Sequence, residues 1–334
     1  MYSVPEKHFG RRQGFQPTSA QILRVFPKLF GQSTAIGLDL QGDHFCAVRV
    51  RLSDRKVELT HHMETPDFGA LGREIERADR VITRPPPKTW FNRRAAKVSG
   101  DWTAAEQPSL KQRGLEVFRV AQRWTPLPMD QTLFGWEVLA HHSGTNTSEI
   151  EIHQSERNNC HEFRLALQSL KLGPVYFEAW HTTALRAAIP PRFTSYILET
   201  RSPDGYALIK NGSLVGHVDL TVFHPPYDPE DPNVERLKSF LAEHLTAGKG
   251  PLQAYFLNRN QRAPQMPGLS CSWIGDNCRE LVGEDLSIGC LQALGLALSS
   301  NREWWLHHVD EFRPGPGPMQ RLRSVMSDLG RVIN

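Results

Sequence analysis

Two stretches of this 334-residue chain carry the same message. Residues 34–50, "TAIGLDLQGDHFCAVRV", alternate small, apolar and polar side chains, turn at Gln41-Gly42-Asp43, and alternate again. Residues 195–220, "SYILETRSPDGYALIKNGSLVGHVDL", repeat strand, turn, strand around Asp204-Gly205 and Asn211-Gly212. Successive side chains of a strand point to opposite faces, and Asn-Gly between alternating runs is a strong hairpin signal. A chain that begins two units with the same ribbon is held to a two-unit architecture. The length agrees, because single cores rarely grow far beyond ~250 residues.

Between and around the ribbons the pattern supplies the remaining elements. Strands are expected at Ala35–Leu40, Phe45–Leu52 and Lys56–Met63, then a helix at Gly72–Ala78 and a short buried strand at Arg80–Thr83 that ends at Pro85-Pro86-Pro87. A second unit begins near Trp90. It holds a helix over Gln107–Trp124, whose stripe Leu110, Val117, Ala121 and Trp124 is interrupted at Gly114, and strands at Leu133–Leu139 and Ser148–His153. A helix from Asn158 to Leu170 ends at Gly173-Pro174. The later half adds a helix at Pro232–Ala247, a strand at Gln253–Leu257 and a small-residue helix at Ile288–Ser299. The resulting division is 1–33 as extension and lead-in helix, 34–89 as the first part of one lobe, and 90–178 as an inserted α+β subdomain. The second lobe covers 179–300, and 301–334 form a C-terminal tail.

Composition narrows the function. The 39 basic and 36 acidic residues nearly cancel, which leaves no long-range field for nucleic acid. Five cysteines make no disulfide framework and suit a reducing compartment; Cys271 and Cys278, with six residues between them, match no common zinc knuckle and read as buried thiols. The adjacent pairs His61-His62, His141-His142 and His307-His308 fall on opposite faces if they lie in strands, so no metal is expected on them. No run of ~18 apolar residues exists, and the N-terminal residues have no apolar stretch behind their charges, so a cytoplasmic protein is expected.

Four stretches, in order across residues 26–300, are similar to those of one family. They are "FPKLFGQSTAIGLDLQGDHFCAVRV", "VFRVAQRWTPLPMDQTLFGWEVL", "LQSLKLGPVYFEAWHTTALRAA" and "SIGCLQALGLALSS". Together they resemble the PilM proteins of type IV pilus assembly, which are related to the cytoplasmic domain of the type II secretion protein GspL. The resemblance implies an α/β, actin-like (ribonuclease H-like) two-lobed fold with an α+β insert in the first lobe and a cleft between the lobes.

The same resemblance places a nucleotide site in that cleft and also puts it in doubt. Asp39 matches the acid that closes the first strand, where a carboxylate organises magnesium through water. Gly42 and His44 are the remaining donors for phosphate in the turn after it. The other positions depart: Gln41 stands for a glycine, Asp43 for a hydroxyl residue and Cys46 for a lysine. Asp43 beside a triphosphate costs about 1–4 kcal/mol at surface-like dielectric. In the second ribbon Leu198-Glu199-Thr200 replaces Asp-x-Gly, and "FLNRNQRAPQ", with Asn258 and Asn260, replaces a glycine-rich adenosine turn. The expectation is a degenerate cleft with no catalytic residues and no cofactor, with ATP and magnesium as the alternative.

The family role that follows is a scaffold on the cytoplasmic side of the inner membrane. It implies binding to the short cytoplasmic segment of a PilN-like single-span protein and contact with other platform or motor ATPase components. The alternatives are an ATP-binding actin-like ATPase and an FtsA-like membrane-associated scaffold. The tail adds a stripe of Leu322, Val325, Met326, Leu329, Val332 and Ile333 with Arg321, Arg323 and Arg331, an amphipathic helix suited to a membrane surface, a partner's groove or its own domain.

Overall fold

The computed structural model describes residues 33–53, 56–87, 89–103, 108–178, 195–200, 205–210, 213–219, 252–257, 268–299, 302–303 and 305–312, with the single positions 235, 239 and 242. The lead-in helix, most of the helix expected at 232–247, Asn258, Asn260 and the amphipathic C-terminal helix lie outside the described residues.

The opening ribbon forms as its alternation dictates. Strands β1 (Ser33–Gln41), β2 (His44–Leu52) and β3 (Val57–Thr65) make an antiparallel meander. Helix α1 spans Phe68–Glu74, earlier than the expected 72–78, because Asp67 caps it by accepting from the Gly69 N–H. Strand β4 (Arg80–Thr83) then pairs parallel with β1.

The insert follows with β5 (Phe91–Ser99), α2 (Leu110–Ala121), β6 (Thr132–His142) and β7 (Thr147–Glu156), its strands ordered β5-β7-β6. Strand β5 escaped the sequence pattern, since "FNRRAAKVS" is an edge strand with little apolar alternation. Ser109 and Gln112 form a capping box that starts α2 later than expected. Helix α3 (Arg157–Ser169) and β8 (Val175–Phe177) return the chain to β4, giving the sheet order β3-β2-β1-β4-β8.

The second lobe repeats this path. Strands β9 (Ser195–Thr200), β10 (Gly205–Lys210), β11 (Ser213–Asp219), β12 (Leu252–Phe256) and β13 (Leu269–Trp273) are ordered β11-β10-β9-β12-β13. The pairings match in kind, with three antiparallel strands followed by two parallel ones. Helices α4 (Ile274–Val282) and α5 (Ile288–Leu298) close the lobe. Neither β13 nor α4 was legible beforehand, and Cys271, expected to be buried, is exposed on β13 while Cys278 is buried in α4.

Alternation in β1 and β2 divides their side chains between two cores. Ala35, Cys46, Val48, Val50 and Leu52 face a core shared with Tyr196, Leu198, Ala207, Ile209 and α5. Ile36, Leu38 and Ala47 face the other side, against Leu71 of α1 and Cys160 and Leu167 of α3. Every residue of α5 from Gly289 to Leu298 is buried, as befits a helix apolar on all sides. It lies so close to β1 that a methyl group on Gly37 would overlap the backbone of Ala293 and Ala297.

Grouped with the tail from sequence, residues 305–312 instead fold into the insert. The Phe134 and His307 backbones bond reciprocally at 2.9 and 2.8 Å, Trp136 N donates to Glu303 O at 2.8 Å, and Leu306 N donates to Phe177 O at 2.7 Å. One short strap thus joins β6 of the insert to β8 of the lobe. Phe312 ends it in the insert core beside Phe134 and Trp136, in the space left by Gly114, which explains the interrupted stripe of α2.

Candidate functional site

In each lobe a buried carboxylate stands near the carboxyl end of the first strand. Asp39 and Glu199 are both 0% exposed, and each lies one residue beyond the last rung of its strand with the neighbouring parallel strand, Leu38–Thr83 and Leu198–Tyr255. Strand carboxyl ends at the centre of an α/β sheet are where such folds hold ligands. The two acids are positional equivalents.

The chain itself supplies hydrogen-bond donors to both. Arg84, the first residue after β4, pairs with Asp39: its Nε donates to Asp39 Oδ1 at 2.6 Å, with a second, closer contact from its terminal nitrogen. Gln41 Nε2 donates to Asp39 Oδ2 at 2.8 Å and also to Gln292 Oε1 of α5. Both oxygens of Asp39 are therefore held from within the chain. Glu199 accepts instead from a backbone donor, Leu257 N at 2.7 Å, and Leu257 follows β12 as Arg84 follows β4.

The other two candidate residues sit in the turn. Gly42 takes a φ of +63°, which suits glycine, and His44 is partly exposed. The His44 ring is engaged with its neighbour, Nδ1 to Asp43 Oδ1 at 2.7 Å, and this hydrogen bond holds the Asp43 carboxyl below the usual carboxylate range. Asp39, Gly42 and His44 thus share one hairpin, but Asp39 is bound to Arg84 and to Gln41, which also reaches α5, while His44 is bound to Asp43. Sequence reasoning missed Arg84 and Gln292. The signal for Arg84 was its place directly after a strand parallel to β1 and before three prolines, which fix the chain's exit.

Further groups that suggest chemistry do not assemble a site. Ser148, His141 and Asp101 meet, but both contacts fall on His141 Nδ1, at 3.5 and 3.7 Å, and Ser148 Oγ donates to Gly100 O at 2.8 Å. A hydrolytic relay needs the two imidazole nitrogens on different partners. No group of three or more metal-type side chains converges among the described residues.

No protein-family model and no curated protein sequence matches the chain. Among solved structures, a chain of a "PilM-PilN type IV pilus biogenesis complex" matches with a TM-score of 0.54 at 15% identity, over 80% of this chain and 98% of its own length. In fold the chain is actin-like and resembles PilM. A Bacteroides thetaiotaomicron protein with an actin-like ATPase fold and unknown function is similar at a TM-score of 0.38 and 8% identity, over 78% of this chain and 95% of that one. The twin sheets are the two actin-like lobes, and the β5-β7-β6 sheet is the insert between β4 and α3. No helix among the described residues is long and apolar enough to cross a membrane.

Proposed function

We propose that the protein is a scaffold of a type IV pilus or type II secretion-like inner-membrane platform, with a cleft that no longer suits nucleotide. Its first lobe and insert take the short cytoplasmic segment of a PilN-like single-span protein, and through that partner it sits at the cytoplasmic face of the membrane. Other platform or motor ATPase components join the same assembly. The fold likeness to a PilM–PilN complex supports the assembly role.

One observation carries the degenerate cleft: Asp39, the acid that would organise magnesium, spends both oxygens on Arg84 and Gln41. A guanidinium in that place neutralises the carboxylate and repels a cation, by about 4 kcal/mol per pair of unit charges 4 Å apart at an effective dielectric of 20. Asp43 at the turn repels the phosphates themselves. The residues present therefore do not fit magnesium and ATP, and no catalytic step is assigned.

Two measurements test the reading. Calorimetry with ATP and magnesium is expected to give no saturable heat; tight binding that disappears in Asp39→Ala overturns the degenerate cleft. Immobilised N-terminal peptides of single-span proteins encoded beside this chain are expected to retain it. Failure of all of them overturns the platform role.

A further inference from the structure

Strand β5 is the outer strand of the insert sheet, and its geometry leaves half of its backbone facing outward. It pairs with β7 without a break in register from Phe91–Ser155 to Ser99–Thr147. Glu156 N donates to Trp90 O and Gly100 N to Asn146 O, which fixes the even-numbered positions of β5 as those bonded to β7. The N–H and C=O groups of Ala95 and Lys97 consequently point away from the sheet. No described residue bonds them, whereas Ser99 O is already taken by the Trp102 indole at 3.1 Å.

Three other edges are covered or interrupted. Residues 303 and 307 bond the outer edge of β6, residue 306 bonds β8, and β3 carries a register shift against β2. Long regular edge strands invite pairing unless charge or a bulge prevents it. Strand β5 has no bulge or proline, and among the described residues its protection is positive charge: Arg93, Arg94 and Lys97, with no acid in the strand. Arg94 and Lys97 are exposed. Arg94 lies over the Trp124 ring at 5.4 Å, beside the exposed Arg123.

Charge selects the occupant. On the inner side Lys97 stands opposite Glu149, and Arg93 approaches Glu151 at 3.8 Å, so base on β5 answers acid on β7. Opposite charges directly across a ladder stabilise it and like charges oppose it. A second copy of β5, antiparallel and centred on Ala95, would set Arg93 against Lys97. An incoming strand with Glu or Asp in those places continues the alternation. We propose that the β5 edge, centred on Ala95 and Lys97, takes an extended acidic segment of a partner protein by strand addition.

The test uses the full chain and displayed random nine-residue peptides. Peptides retained by the wild type are expected to be rich in Asp and Glu. Ala95→Pro removes one outward N–H while sparing the β7 ladder, as proline on an edge strand can. It is expected to weaken the selected peptides at least tenfold. Arg94→Glu/Lys97→Glu keeps the backbone intact and reverses the charge, with the same loss expected, so a misfolded proline variant does not end the test. Saturating peptide should slow deuterium exchange at the Ala95 and Lys97 amides and leave Ala96, already in the ladder, unchanged. Absence of acidic enrichment, equal binding to the charge-reversed variant, or unaltered exchange at Ala95 and Lys97 overturns the proposal. This edge is separate from the cleft, so the calorimetric outcome does not bear on it.

Discussion

The two lobes thread five strands along the same path and set a buried acid near the carboxyl end of each first strand, yet the residues around those acids differ. In the first lobe Arg84 and Gln41 bond Asp39; in the second the Leu257 N–H is among the groups that hold Glu199. The matched positions extend inward. Gly37 in β1 corresponds to Ile197 in β9: the first lies under the backbone of α5, and the second packs with Tyr206, Leu208, Ala254 and Phe256. The topology has been kept twice, while the chemistry at the strand ends has diverged. In the first lobe Arg84, Asp39 and Gln41 tie the ends of β4 and β1 together within the chain.

The Arg84–Asp39 pair makes the first lobe sensitive to loss of its acid. Asp39→Ala leaves Arg84, only 15% exposed, as an uncompensated charge, and removing one partner of a buried pair costs about 3–5 kcal/mol. The midpoint of urea unfolding is expected to fall accordingly. Asp39→Ala/Arg84→Met should recover most of the loss, because no charge is then stranded. A double variant as weak as the single one would mean that the pair is incidental.

Close approach of α5 to β1 is the next contrast. Gly37→Ala must push the helix backbone off the strand, and overpacking against backbone has no side chain to yield. The expected cost is about 3 kcal/mol, the upper end for such insertions. A thermal midpoint within a few degrees of wild type would show that α5 does not bind the first lobe as tightly as its geometry indicates.

Much of this contrast could be read beforehand and part could not. Gly37, Asp39 and the Gln41-Gly42-Asp43 turn stand within one alternating run, so local pattern exposed them, as it exposed the twin ribbons and the apolar α5. Arg84 meets Asp39 across 45 residues of sequence, and Gln292 meets Gln41 across 251, separations at which periodicity is silent. Strand β5 was missed because its exposed edge carries charge where a buried strand would carry alternating apolar residues. The strap at 303–307 was missed because its pairing uses backbone groups, which every residue has.

Glu199 supplies a smaller effect. Glu199→Gln keeps an oxygen for Leu257 N and removes only the charge, so a loss of about 1–2 kcal/mol is expected, well below that of Asp39→Ala. Equal losses at the two sites would erase the distinction between the lobes.

The smallest effect tests the strap by pH. Burial raises the affinity of Glu311 for its proton, but the hydrogen bond with His307, Nδ1 to Oε2 at 2.9 Å, the His307 charge, the His308 N–H and Arg164 together outweigh it and leave the carboxyl below its usual range. A carboxyl that ionises more readily in the folded state adds stability above the unfolded pKa of ~4.3, and the gain fades as pH falls through the lowered value. The Glu311 side chain is 49% exposed, so solvent screening holds the contribution to about 1 kcal/mol or less. Thermal midpoints of wild type and Glu311→Gln, compared from about pH 6 down to pH 3, should differ at the upper end and converge at the lower. A difference that persists unchanged into acid would assign the strap's hold to the Phe134, Trp136 and Phe312 packing alone, with no share from the ion pair.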